Sequence, residues 1–405
     1  MFYIRSALTN IRRYKSKSIL NLLICIMLVM LLNLFLGSLQ SNKQQLEDMS
    51  KAVSIFAQIS NLNGSLQTGL VIREPVIDGI LQSEYISKPS ITVVLSAGEG
   101  DLQEKDLRSH KTMDAAGITR IEAVSGLTEE DVTLMPDTSL DILQSDKPVC
   151  ILEEGILSQK NWKIGQTIKL SLYYDYRDYN YQYITQKLTT DEFLIAGSVM
   201  SKDGIAIPQI LVPFAWAKKT FHQENITFLA NSLSFYLKDP LQLNKFKKEM
   251  HDELNLLEII PASDFAYAGN ALAVSDETFI LSASRVQDNI RMLGSFLPFV
   301  LIIVILIGYI TSYLLIQNRK GQYATMRSLG VSSRMCLITL LLESILIELA
   351  GGAIGIIVSV LFIEHNVIIP ILTFAVFFFC YICGTSAALY QLGKVSVMKA
   401  LAQKD

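Results

Sequence analysis

Four long apolar runs dominate the pattern of the chain. Residues 18–42 carry no charge between Lys17 and Lys43, and residues 292–318 carry none between Arg291 and Arg319. Residues 335–363 are broken only by Glu343 and Glu348, and residues 365–393 are uncharged when His365 is neutral. Each run exceeds the roughly 20 residues that a helix needs to cross hydrocarbon. They predict transmembrane helices over 18–40, 291–317, 336–363 and 366–391. The first run is too long for a signal peptide, and no compact small-residue cleavage site follows it, so it reads as an uncleaved anchor.

On either side of the first two runs the apolar spacing becomes that of a coiled coil. Leu46, Met49, Val53 and Phe56 are spaced 3, 4 and 3, and Phe279, Ala283, Val286, Ile290 and Leu293 are spaced 4, 3, 4 and 3. The two stripes predict stalk helices over 41–60 and 275–290 that zip together. Ahead of the first span, Phe2, Ile4, Leu8 and Ile11 share one helical face opposite Arg5, Arg12, Arg13 and Lys15, which predicts an interfacial helix over 1–17.

Residues 61–274 alternate between strand and helix signals. Strands are predicted over 90–96, 149–152, 167–174, 193–199 and 205–213, and helices over 74–85, 153–160 and 239–254. Pro75 falls in the first turn of one helix, and Asp239 followed by Pro240 opens another. Strand signals concentrate over about 113–218, which predicts a β-rich subdomain inserted in an α+β one. Tyr173, Tyr174, Tyr176, Tyr179, Tyr181 and Tyr183 crowd one hairpin, where cross-strand packing is the ordinary explanation and a wet binding surface the alternative.

Charge then orients these elements. Residues 1–40 hold five Lys or Arg and no acid, residues 291–405 hold eight basic and four acidic, and residues 41–290 hold 22 basic against 34 acidic. Basic flanks stay in the cytoplasm. The expected fold is therefore an integral membrane α-helical protein of four transmembrane helices, with a large α+β extracytoplasmic domain inserted between helices 1 and 2. Both termini, including the tail 392–405, are cytoplasmic, and residues 41–290 lie outside.

Between the second and third spans, residues 318–335 form a short cytoplasmic loop that carries Arg319, Lys320, Arg327 and Arg334 and no acid. Its interior GQYATMRSLG predicts up to two helical turns, with Tyr323, Met326 and Leu329 or Gly330 on one apolar edge and Gly330 as a C-cap. A short helix held beneath the membrane is a docking peg. In the third span, Gly351 and Gly355 form a small-xxx-small seam for close helix packing. Glu343 is costly in lipid and is expected to pair with a base of the N-terminal helix or with Lys394.

Other chemistry lacks support. There is no G-x-x-x-x-G-K-[ST] phosphate loop and no H-E-x-x-H, and the four histidines are scattered, so neither nucleotide binding nor a metal site is expected in this chain. Cys380 and Cys383 form a C-x-x-C inside an apolar run, where small packing residues are the expected role. No nucleophile constellation appears, and nothing points to nucleic acid.

The loop RKGQYATMRSLGVSSRM, followed by Glu343 and a glycine-bearing span, resembles the MacB/FtsX-like permeases of ABC transporters. Arg319, Tyr323, Met326, Arg327, Leu329, Gly330 and Ser332 take matching places in the family's loop motif, while Gln322 replaces its acidic residue. The stretches VCILEEGILSQKNWKIGQTIKL, EFLIAGSV, PQILVPF and GKVSVMKAL resemble the rest of the family pattern, so the likeness runs through nearly the whole chain. It implies a dimer with a second copy or homologue, in a bacterial cytoplasmic membrane, each permease seated by its loop helix on a separate ATPase that binds ATP and Mg. It further implies that the chain itself is no enzyme, holds no cofactor, and moves its outer domain to export antimicrobial compounds, peptides or lipoproteins, with an adaptor as a possible further partner. The alternative is a regulator of the FtsX type that activates a cell-wall hydrolase or signals across the membrane.

Overall fold

The computed structural model describes residues 7, 9, 11–102, 112–177, 183–201, 205–259, 269–317, 320–362 and 368–393. Residues 1–6, 8 and 10 of the predicted interfacial helix over 1–17, and residues 394–405 of the tail, fall outside them. The chain divides into two compact units, one made of Met1–Asp48 with Ser282–Asp405 and the other of Met49–Leu281.

The first helix, α1 (Lys15–Ala52), contains the first apolar run and continues past it. It stops at Ala52, which corrects the expected stalk over 41–60: Val53 lies beyond the helix, and β1 (Phe56–Ser60) is a strand. The reason is nonlocal. The sheet takes β1 into two antiparallel ladders at once, and Phe56 packs edge-on against Tyr236 with ring centroids 5.3 Å apart.

The second unit continues with β2 (Ile72–Arg73) and α2 (Glu74–Gln82), which starts with Pro75 where a missing N–H costs nothing. Next come β3 (Ile86–Glu99), β4 (Met113–Ile118), β5 (Val132–Leu134) and β6 (Val149–Glu153). The short α3 (Glu154–Lys160) ends at Asn161 in the left-handed conformation, φ 55°. The hairpin of β7 (Thr167–Arg177) and β8 (Tyr183–Val199) follows, then β9 (Ile210–Pro213), α4 (Phe214–Gln223), β10 (Leu229–Ala230) and β11 (Ser232–Leu237). Asp239 accepts a hydrogen bond from the Leu241 amide at 2.9 Å and so opens a 3-10 turn ahead of α5 (Leu243–Leu254). The unit closes with β12 (Leu257–Glu258) and β13 (Ala271–Ser275).

Eleven strands join in one sheet in the order β12-β13-β1-β11-β3-β4-β9-β6-β8-β5, and β7 links β8 back to β3. The strands β3, β4, β9, β6, β8 and β7 therefore form a closed ring. The ring takes its sixth strand from residues 86–99, ahead of the expected subdomain boundary at about 113. A single 14-residue strand, β3, thus serves both parts of the sheet, pairing with β11 near its start and with β4 and β7 near its end. The fully buried run of β6 fits a strand covered on both faces.

Helix α4 lies on the ring where Gly117 of β4 faces Ala217: a Cβ on Gly117 would stand 3.2 Å from the Ala217 Cβ. Its Phe214, Trp216 and Phe221 meet Phe228, Phe193 and Tyr174 edge to face. Tyr173 is buried and donates to the Leu102 carbonyl at 2.8 Å, and Tyr176 stacks on Tyr174. Packing thus accounts for Tyr173, Tyr174 and Tyr176; Tyr179, Tyr181 and the side chain of Tyr183 lie outside what is described. The Cys150 thiol is buried in β6, which pushes its pKa up to about 12 and leaves it inert.

An ion cluster ties α2 to α4. Lys218 reaches Asp78 at 2.6 Å and Glu74 at 2.9 Å, and His222 reaches Glu74 at 2.9 Å. Burial alone would raise the Glu74 carboxyl, but hydrogen bonds from His222 and Lys218 outweigh it and hold the group below its ordinary 4.5. For Lys218, burial acts downward, and the hydrogen bonds to Asp78 and Glu74 carry it above 10.5. A depressed carboxylate stabilises the fold above its unfolded pKa and ceases to do so as pH falls through its folded value; a raised lysine stabilises below 10.5 and fails as pH climbs past it. Hydrogen exchange in α2 and α4 is therefore expected to be faster in Lys218→Met than in wild type at neutral pH, by roughly five-fold for pairs worth ~1 kcal/mol. The two should converge once Glu74 and Asp78 are both protonated, and equal rates at neutral pH would refute the link.

In the first unit, α6 (Glu277–Gln317) is one 41-residue helix that joins the expected stalk 275–290 to the span 291–317, with Pro298 inside it. Short α7 (Lys320–Ser328), α8 (Ser333–Phe362) and α9 (Ile368–Gly393) complete the chain. Helices α1, α6, α8 and α9 are each long and apolar enough to cross a membrane. Cys25, Leu28, Val29 and Leu32 of α1, Val304 of α6 and Phe377, Cys380 and Tyr381 of α9 share one buried cluster.

Candidate coupling helix and membrane seam

The loop motif folds into α7, and its far end is fixed by glycine. Gly330 has φ +88°, a conformation that costs a side-chain-bearing residue roughly 1–2 kcal/mol. Its amide donates to the Arg327 carbonyl and the Val331 amide to the Met326 carbonyl, each at 3.1 Å. This pair of bonds is the Schellman arrangement, and Val331 and Met326 supply the apolar contact that accompanies it. Arg327 reinforces the turn by donating through Nη1 to the Val331 carbonyl at 3.1 Å.

Two residues on, Ser332 starts α8. Its side-chain oxygen accepts from the Met335 amide at 3.4 Å, and its carbonyl accepts from the Cys336 amide at 3.2 Å. Gly330 and Ser332 are thus the stop and start of consecutive helices, and the turn between them has little freedom.

The single apolar edge expected for α7 is divided. Tyr323 is buried, its hydroxyl 2.8 Å from the Ser333 hydroxyl, and with Met326 it packs against Cys336 and Leu340 of α8, Ala388 and Leu389 of α9, and Tyr309 and Tyr313 of α6. Leu329 is 78% exposed, because α7 ends at Ser328 and the next residue turns away from that face. One side of the motif anchors the helix, and the other presents Leu329 with Gly330, Ser332 and Arg334 exposed beside it. Arg319 lies outside the described residues.

In the seam, a Cβ on Gly351 would stand 2.8 Å from the Cys25 Cβ, and one on Gly355 2.9 Å from the Val29 Cβ. Gly351 also faces Leu22 and Gly355 faces Ile26, so α8 and α1 run parallel at close approach. Counting back eight residues from Gly351 brings the fully buried Glu343 level with the basic start of α1. Lys394, its other expected partner, lies outside the described residues.

The apolar runs hide a polar network that sequence reasoning missed. The Tyr381 hydroxyl donates to Asn21 Oδ1 at 2.7 Å and lies 2.7 Å from Thr311 Oγ1, joining α9 to α1 and α6. Ser312 meets Thr385 at 2.9 Å, and Thr385 donates to Oε1 of the fully buried Glu348 at 3.3 Å, joining α6, α9 and α8. Thr373 meets Asn33 at 3.2 Å. Uncharged polar residues at helical spacing inside the runs were the available signal. Tyr381→Phe removes both bonds of that hydroxyl and is expected to cost about 1 kcal/mol, seen as a lower melting temperature of the purified chain. An unchanged melting curve would assign the hydroxyl no role in holding the helices.

Among the described residues no group of His, Cys, Asp or Glu could hold a metal ion. Cys380 is buried and Cys383 exposed, and both are unbonded.

No curated protein matches the chain. Among solved structures, the periplasmic region of MacB from Actinobacillus actinomycetemcomitans is similar at 12% identity over 56% of this chain and 92% of its own, with a TM-score of 0.31. A domain assigned to a permease protein of Porphyromonas gingivalis is similar at 11% identity over 55% of this chain and 87% of its own, with a TM-score of 0.27. Residues 294–397, which contain α7, the two seam glycines and the polar network apart from Asn21 and Asn33, match the FtsX-like permease C-terminal family. Over residues 294–397 the chain is thus similar to the FtsX-like permeases.

Proposed function

We propose that the chain is an export permease which seats α7 on a separate ATPase subunit and passes its ATP-driven movement through the membrane helices to the unit Met49–Leu281 outside the cytoplasm. The observation that carries this reading is the division of α7, with Tyr323 and Met326 held among α6, α8 and α9 and Leu329 turned out. A helix so anchored moves with the three spans, so force applied at Leu329 reaches them without a flexible link.

Transmission outward is supported by the descending stripe on α6, where Phe279, Ala283 and Val286 are buried along an otherwise exposed stretch. Leu46 and Met49 on α1 are half-buried. The basic residues around α7 and ahead of α1 orient these ends to the cytoplasm. The working unit is a dimer with a second permease, in a bacterial cytoplasmic membrane, with ATP and Mg held by the ATPase and an adaptor as a further partner. The cargo class is antimicrobial compounds, peptides or lipoproteins.

The test is purification of the chain with its cognate ATPase, together with labelling of cysteines introduced in the unit Met49–Leu281 of intact cells. Co-purification, hydrolysis only when the ATPase is present, and labelling from outside are expected. Hydrolysis by the purified chain alone, or labelling only after the cells are opened, would sink the proposal.

A further inference from the structure

The start of α1 combines two features that the coupling role does not use. Arg12, Arg13, Lys15 and Lys17 stand within six residues, all exposed. Neither an ion pair nor a hydrogen bond joins any of their side chains to another described residue, and the first acid in the sequence is Glu47. A one-residue turn at Tyr14 interrupts the helix, and these cations line a shallow, open concavity of about 460 Å³ with Tyr14 and Ser16.

The second feature begins one turn later. Leu20, Leu23, Met27, Leu31 and Leu34, spaced 3, 4, 4 and 3, lie on one face of α1 and are 60%, 51%, 71%, 55% and 52% exposed. Lys17 and Ser16, three and four residues ahead of Leu20, lie above that face. From Leu20 to Leu34 the stripe rises about 21 Å, more than half of a ~30 Å hydrocarbon layer, which is enough to accompany one acyl chain to the bilayer midplane.

We propose that this end of α1 is a binding site for an anionic phospholipid, its headgroup phosphate held by Arg12, Arg13, Lys15 and Lys17 and an acyl chain lying along the stripe from Leu20 to Leu34. Four neighbouring cations that no described carboxylate pairs with repel one another, and a phosphate relieves that repulsion. Arginine forks grip its oxygens in pairs, and the lysines add point charges. The four cations gather at the head of that apolar stripe, so one amphipathic ligand can engage both. The inference rests on the membrane placement of α1 proposed above and is independent of docking at α7.

The experiment uses the full-length chain in nanodiscs and spin-labelled lipids, comparing the protein-associated fraction of phosphatidylglycerol with that of phosphatidylcholine. Phosphatidylglycerol is expected to be favoured at least about five-fold, the effect of one engaged cation. The preference should fall partway in Arg12→Gln/Arg13→Gln, which keeps Lys15 and Lys17 as a flank, and vanish when all four positions are Gln. Arg12→Lys/Arg13→Lys should retain most of it.

Equal association of the two lipids with the wild-type chain would overturn the proposal, as would a preference undiminished in the four-fold variant. Loss of the preference in millimolar inorganic phosphate at constant ionic strength would assign the site to a soluble anion instead, and so would overturn it. A chain that fails to enter nanodiscs at all would contradict the membrane placement, an outcome separate from any change in lipid preference.

Discussion

Leu329→Asp is expected to abolish co-purification with the ATPase and the hydrolysis that depends on it, while the purified chain melts as wild type. Burying one leucine in a partner groove contributes about 1.5–3 kcal/mol, so losing it weakens association roughly ten- to hundred-fold even before a charge is desolvated. The side chain is 78% exposed and belongs to no described core cluster, so the fold should change by no more than about 0.5 kcal/mol. Gly330→Asp and Arg327→Glu should uncouple by another route. The first forces a side chain onto φ +88°, and the second removes the donor to the Val331 carbonyl, so both shift the turn that aims Leu329. Undiminished association in Leu329→Asp would refute the docking role; loss in Gly330→Asp alone would mean that the turn matters and the leucine does not.

Gly351→Leu should have the largest structural effect. Its Cβ would fall 2.8 Å from the Cys25 Cβ and 3.1 Å from the Leu22 carbonyl, so α1 and α8 must move apart. Overpacking of this kind costs typically about 1–3 kcal/mol, and the displaced contact lies beside the buried cluster around Cys25, Val29 and Tyr381. A drop in melting temperature and in yield of folded chain from detergent is expected. Gly294→Ala is the control, since a Cβ there meets nothing within 4 Å. Equal stability of the two variants would show that the seam tolerates separation.

What the sequence disclosed depended on whether the deciding force was local. Gly330, Asp239 and Pro75 were readable because backbone conformation and capping are settled within a few residues. The long spans were readable because length and apolarity suffice. The fate of Val53 and Phe56 was not: their spacing continues a helical rhythm, but the ladders that claim β1 come from β11 and β13, far along the chain. The ring was hidden for the same reason, since β3 precedes the strand-dense region that completes it. At the candidate site, Tyr323, Met326 and Leu329 looked equivalent by periodicity, and only the end of α7 at Ser328 separates anchor from exposed tip. The network of Asn21, Thr311, Ser312, Tyr381 and Thr385 escaped because a search for formal charge passes over neutral hydrogen-bonding groups.

The closed ring has a consequence for how copies of the chain meet under crowding. A broad sheet usually presents free amides and carbonyls on which a neighbour can template cross-strand pairing, the first step toward fibrils. Here six strands close on one another, and the remaining path terminates in β12 and β5, strands of two and three residues, so the longer free edges are those of the β7–β8 hairpin beyond its pairing with β3 and β6. Such stubs are too short to nucleate assembly, so any pairing between copies would have to begin at the hairpin.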